Sequence, residues 1–121
     1  MFDELLPADF EARLTPLESL PTVPLPFGLG EGRDVLGDGS MLSVPLPGHA
    51  LGHTGLIWPG QKRVYAADAQ WLKQAMRENR PPKGPARWVY ADEDEMRQSL
   101  DRLRGAEAAG CEVAFCHDLV K

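Results

Sequence analysis

Only two cysteines, three histidines and two tyrosines occur in the 121 residues. The aromatic share is 7%, and acidic side chains outnumber basic ones by 18 to 13. A net charge of -5 argues against a nucleic-acid or anionic-membrane surface, because a phosphate backbone rewards excess Lys and Arg. No apolar run approaches the roughly 18–20 residues of a membrane span. No basic segment followed by an apolar one opens the chain, so no signal peptide is expected. If the stretch around Cys111 and Cys116 is one strand, their odd spacing puts them on opposite faces, about 16–17 Å apart, and no disulfide joins them. The expected setting is reducing and cytoplasmic. With 43% hydrophobic residues, the length suits a single modest core.

What is plentiful is proline and glycine, and they divide the chain. Pro7 to Leu14 predicts a short helix, with Pro7 near its start and Phe10 and Leu14 four apart. Residues 17–32 hold Pro21, Pro24, Pro26, Gly28, Gly30 and Gly32, which predicts an irregular surface connection. The expected division is therefore 1–32, helix and connection, and 33–121, an αβ unit. Within the second part, Arg33–Leu36 and Met41–Leu46 flank Gly37-Asp38-Gly39-Ser40 as a hairpin. Leu42, Val44 and Leu46 share one face, and Pro45 suits a strand end or edge. Thr54–Trp58 and Arg63–Ala67 form a second hairpin around Pro59-Gly60.

Ala69–Asn79 reads as a helix stopped by Pro81-Pro82, with Asp68 at its N-terminal side. Pro81–Pro85 reads as a loop and Arg87–Tyr90 as a short strand. Asp92 followed by Glu95 predicts a capped helix start. Met96, Leu100, Leu103 and Ala106 mark the apolar face of that helix, and Gly110 its stop. Glu112–Cys116 reads as the last strand. The fold class is α/β (α+β): a mixed sheet with helices on one face, the other face lacking evident cover.

Three side chains that suit a borderline divalent metal stand where apolar runs stop: His49, Asp68 and His117. Each also has a plainer reading. His49 suits a turn after Pro47-Gly48, Asp68 a helix N-cap, and His117-Asp118 a solvated strand end. His53 suits a packed, hydrogen-bonded ring. Cys116 beside His117 suggests a nucleophile pair, but adjacent strand residues point to opposite faces, which argues against it. The run Asp92 to Glu95 fits helix capping better than calcium, lacking a loop of alternating oxygen ligands.

The words around these residues carry more than their spacing. Pro-Gly-His-Ala-Leu-Gly-His-Thr-Gly-Leu over 47–56, Val-Tyr-Ala-Ala-Asp-Ala over 64–69 and Phe-Cys-His-Asp over 115–118 stand in that order. Together, over Val35 to Asp118, they resemble the second half of the metallo-β-lactamase-fold hydrolases. That superfamily includes glyoxalase II-type thioesterases and N-acyl homoserine lactonases. The resemblance implies one αβ layer of a four-layer αβ/βα sandwich. It implies hydrolysis of an ester, thioester, lactone or amide by a metal-bound hydroxide, with zinc or another divalent metal as cofactor.

By the same resemblance His49 ligates one metal, Asp68 bridges both and acts in catalysis, and His117 ligates the other. His53 and Asp118 support the ligands from behind. The Asp68-Ala69-Gln70-Trp71 run looks most like the lactonase branch, which often has a tyrosine where Trp71 stands; an indole has no hydroxyl to offer.

The family's first-half motif, His-x-His-x-Asp-His, is absent here. Each metal then has two protein ligands from this chain, where a catalytic zinc usually has three. The expectation is a truncated, inactive hydrolase that binds metal weakly or not at all alone. Its partner would be a missing N-terminal half or a second copy. The alternative is a non-catalytic module that self-associates through its bare sheet face.

Overall fold

The computed structural model describes residues 3–70, 72–80 and 91–118. The Pro/Gly-rich stretch, expected to be an irregular connection, is partly regular. It holds a two-stranded antiparallel hairpin, β1 (Thr22–Pro24) with β2 (Glu31–Arg33). Its loop closes through Leu25 N–H to Gly30 O at 2.7 Å. Proline is tolerated because Pro24 lies at the strand's end, where a missing donor is harmless. Leu25 and Leu29 reach the same apolar core as the rest of the chain. Ahead of the hairpin, the expected helix is a single turn, α1 (Phe10–Arg13).

The main sheet runs in the order β3 (Leu42–Pro45), β4 (Thr54–Trp58), β5 (Arg63–Tyr65), β6 (Glu112–Ala114). Its first two pairings are antiparallel and the β5–β6 pairing is parallel. A parallel pair needs a crossover, which here includes α2 (Lys73–Arg77) and α3 (Glu93–Ala108). Alternation places Leu42, Ile57, Val64 and Val113 in one register row, all buried. Met96, Leu100, Leu103 and Ala106 of α3 join that core, as their spacing predicts. Each such burial is worth about 1.5–3 kcal/mol for the larger side chains. The next row holds Ser43, Leu56, Tyr65 and Ala114. Ser43 is buried and accepts from Arg33 N–H at 2.9 Å, whereas Leu56 and Ala114 are half-buried and Tyr65 is 38% exposed.

Helix α3 starts and stops as its sequence dictates. Asp92 Oδ1 accepts from Glu95 N–H at 3.0 Å, an N-cap bond. At the other end Gly110, with φ +99°, lets its own N–H reach Glu107 O and Cys111 N–H reach Ala106 O. That is the paired closure of a Schellman turn. Arg102 staples the helix to Leu29 O (3.1 Å) and Pro45 O (2.8 Å). Arg77 joins α2 to α3 through a two-pronged bond to Glu107 at 2.8 and 2.9 Å.

Other expected elements change, and the strand expected over Arg63–Ala67 ends at Tyr65. The run Arg33–Leu36 does not continue as a strand: β2 ends at Arg33, and one bridge, Asp34 to Leu42, links it to β3. The cause is Asp34, whose carboxylate accepts from Gly37 and Gly39 N–H and turns the chain. The helix expected over Ala69–Asn79 is only Lys73–Arg77, and its N-cap is Leu72, not Asp68. Ala67 sits at φ +48°, outside helical geometry, and buried Ala69 and Gln70 follow it inward. The last strand ends at Ala114, not Cys116, because Asp118 folds back: its Oδ2 accepts from Phe115 N–H at 3.1 Å. The expected loop Pro81–Pro85, strand Arg87–Tyr90 and the position of Trp71 lie outside the described residues.

The turn carrying His49 is seated on the start of α3. Gly48 O accepts from Asp92 N–H at 3.0 Å, His49 O from Ala91 N–H at 3.3 Å, and Pro47 O from the Ser99 hydroxyl at 2.8 Å. Gly48 has φ +129°, and a Cβ there would lie 2.3 Å from Met96 N. Gly48→Ala is expected to cost roughly 2–4 kcal/mol, from backbone strain plus the clash, read as a lower urea midpoint at unchanged slope. A second expectation concerns acid. The Arg77 bond holds the Glu107 carboxyl below its usual value of 4.5. A depressed carboxyl stabilises the fold above its unfolded value and loses that contribution as pH falls through the folded one. Glu107→Gln should therefore flatten the decline in stability below about pH 4.5, measured by chemical denaturation across the acid range.

Candidate metal centre

The parallel pairing of β5 with β6 places two chain ends side by side. The ladder runs on past both strands: Ala66 N–H donates to Ala114 O at 2.8 Å, and Cys116 N–H to Ala67 O at 3.1 Å. Asp68 and the turn Cys116–His117 thereby emerge together at the carboxyl end of the sheet, where open α/β sheets bind ligands. Ala67, a residue with a Cβ held at φ +48°, swings the next carboxylate toward that turn.

Asp68 Oδ1 is the meeting point. It accepts from the Cys116 thiol at 2.6 Å and lies 3.2 Å from His117 Nε2. One donor atom each from Asp68, Cys116 and His117 lies within 4.8 Å of the others. Cys116 lies outside the ligand set His49, Asp68 and His117 that the sequence points to. A strand would hold Cys116 and His117 on opposite faces, but both lie in a turn after β6, so both reach Asp68. The signal was present as Asp118, an acid two residues beyond Cys116 that could hook the chain back.

Two side chains hold this arrangement from behind. His53 Nδ1 is 2.8 Å from Leu46 O, a carbonyl that can only accept, so Nδ1 carries the proton. Its Nε2 accepts from Asp68 N–H at 3.2 Å. With both ring nitrogens engaged, His53 fixes the backbone of Asp68. Asp118 uses Oδ1 to accept from Lys73 N–H at 2.8 Å, tying the turn to the first residue of α2, and Oδ2 to accept from Phe115 N–H. His49 stands outside the triangle. Its ring meets that of His53 edge-on, centroids 5.5 Å apart.

Electrostatics follow the contacts. The Asp68 carboxyl is held below the usual carboxylate range, first by the Cys116 hydrogen bond; desolvation opposes this, and His49, His117 and His53 add to it. Partial desolvation, then the bond to Asp68 and its charge, push the Cys116 thiol up to about 11. The side chains are open to solvent, 61% exposed for His117 and 40% for Asp68. A cavity of about 370 Å³ lies elsewhere, lined among others by Thr22, Arg33, Ser43 and Thr54, and includes none of the three. Both cysteines are free thiols. Carboxylate, imidazole and thiol are the donors that borderline divalent cations take, so the residues present fit such an ion. No helix among the described residues is long and apolar enough to cross a membrane.

No protein-family model and no curated protein matches the sequence. Solved structures do. An N-acyl homoserine lactone hydrolase, with the product N-hexanoyl-L-homoserine bound at its catalytic metal centre, aligns with 73% of this chain at 21% identity and a TM-score of 0.57. A phenylalanine-to-tryptophan variant of AiiA from B. thuringiensis, with N-decanoyl-L-homoserine at its active site, aligns with 73% at 20% identity and 0.56. The chain spans 34% of the length of each. The likeness expected from the sequence thus holds at the level of the fold: the chain builds a mixed αβ layer like that of the metallo-β-lactamase fold and spans about one third of the length of those structures.

Proposed function

We propose that this chain is the metal-carrying αβ layer of a hydrolase of metallo-β-lactamase type, acting on an ester, thioester, lactone or amide once a second layer joins it. The observation that supports this reading most is the convergence of Asp68 and His117 at the carboxyl ends of two parallel strands, in a fold shared with lactone hydrolases. Asp68 and His117 would hold a divalent cation such as zinc, with His49 on the side of a second ion. Such an ion supplies Lewis acidity toward a carbonyl oxygen and acidifies bound water. The chain's own residues supply placement. His53 fixes Asp68 through its backbone N–H, and Asp118 fixes the turn that presents His117.

Two features favour a layer over a self-sufficient enzyme. The donor side chains are open to water, so no low-dielectric enclosure strengthens their interactions with a substrate. The row Leu56, Tyr65 and Ala114 is only partly covered. A non-catalytic module that pairs through this row is the second reading, and the same row supports it.

Zinc binding by equilibrium dialysis should fall at least about tenfold in Asp68→Ala with the fold retained by circular dichroism; undiminished binding would sink the reading. The chain alone should hydrolyse an ester, thioester or lactone no faster than buffer with zinc. It should also sediment as a dimer or larger species, and Leu56→Lys should shift it toward monomer. A monodisperse parent monomer would remove the sheet face as an interface.

A further inference from the structure

From the Asp68–Cys116–His117 cluster we propose that Cys116 is a metal ligand, so that this chain alone holds one thiophilic divalent cation through a carboxylate, a thiolate and an imidazole. The inference rests on the proposed function in taking Asp68 and His117 as ligands, and adds the third.

The geometry is specific to Cys116. The turn after β6 gives two donors in succession, Cys116 Sγ and His117 Nε2, and both converge on one oxygen, Asp68 Oδ1, at 2.6 and 3.2 Å. Ligands of one tetrahedral zinc stand about 3.3–3.8 Å apart, given metal–ligand bonds of about 2.0–2.3 Å. The three atoms, all within 4.8 Å of one another, need only small side-chain rotations to reach that spacing. Cys116 and His117 are exposed, so little packing opposes such rotations. The backbone beneath does not have to move, because Cys116 N–H is bonded to Ala67 O and Asp118 anchors the turn.

The donor set also settles the class of ion. A carboxylate and a thiolate together neutralise a divalent charge, and sulfur favours zinc or cobalt over magnesium or calcium. Three protein ligands leave a fourth position open, the count usual for a catalytic zinc. Cys111 cannot substitute, since it is 2% exposed and faces the core. When the ion binds, the thiol proton passes to solvent or buffer and sulfur donates its electron pair to the metal; no oxidant or reductant is needed.

The test is titration of the full chain with cobalt(II) followed by zinc competition, in the parent, Cys116→Ser and Asp68→Ala. The parent should show a sulfur-to-cobalt charge-transfer band in the near ultraviolet, abolished by zinc and untouched by excess magnesium. Cys116→Ser should lack the band and bind zinc at least about tenfold more weakly. Circular dichroism of each variant checks that the fold persists. Metal bound by the parent and lost in Asp68→Ala, but with no such band and undiminished zinc affinity in Cys116→Ser, overturns the thiolate ligand and leaves the proposed function standing. A parent that binds neither cobalt nor zinc overturns the three-ligand site in this chain alone, and the proposed function then requires the second layer to complete the metal site.

Discussion

The contact between the Pro47-Gly48-His49 turn and the first turn of α3 is the constraint on which the rest depends. A helix begins with backbone N–H groups that have no partner inside it. Here the Asp92 carboxylate takes one of them, Glu95 N–H, while the N–H groups of Ala91 and Asp92 just ahead go to carbonyls of the turn. The turn approaches closely enough to do this only because residue 48 has no side chain. The same approach orients α3, whose apolar face covers the sheet. Through α3 it sets where β6 begins, since the closure at Gly110 delivers the chain directly into that strand.

From there the parallel β5–β6 pairing does the rest. In antiparallel neighbours the end of one strand meets the beginning of the next. In a parallel pair both carboxyl ends meet, so the residues after each fall together. Asp68 and the Cys116–His117 turn are 48 and 49 residues apart in sequence, yet they share one oxygen. The crossover through α2 and α3 makes that pairing possible, and Asp118 locks it by bonding both to Phe115 and to the start of α2.

Much of this was legible because side-chain periodicity reports burial. Leu42, Val44, Leu46 and the Met96–Ala106 face are where alternation and helical spacing put them. The Asp92 cap and the Gly110 stop were legible for the same reason, being local chemistry. What escaped were tertiary effects. Nothing local says that Ala67 will adopt a left-handed conformation and end a strand without starting a helix. Nothing local says that Asp118 will bond both Phe115 and the first residue of α2, cutting the last strand short and moving Cys116 from a strand face into the site. The β1–β2 hairpin was hidden because proline and glycine mark turns and strand ends alike.

The polar groups around the site fall into two sets that differ in what they face. Asp92, Ser99, His53 and Asp118 spend their hydrogen bonds on backbone groups of this chain and hold its turns in place. Asp68, Cys116 and His117 turn outward, and Asp68 Oδ1 meets the other two. The carboxylate is favoured in its ionised form, and two donors converge on it in the open. The scaffold's polar groups are satisfied by the chain's own backbone, and the left-handed conformation of Ala67 is the local strain that presents that trio. What the trio lacks in this chain is enclosure, and the half-covered row of Leu56, Tyr65 and Ala114 lacks cover as well. Solvent screens charges and hydrates apolar rings by the same exposure, so a second layer laid over that open face would bury apolar surface and, where it overhangs the trio, lower the dielectric around it.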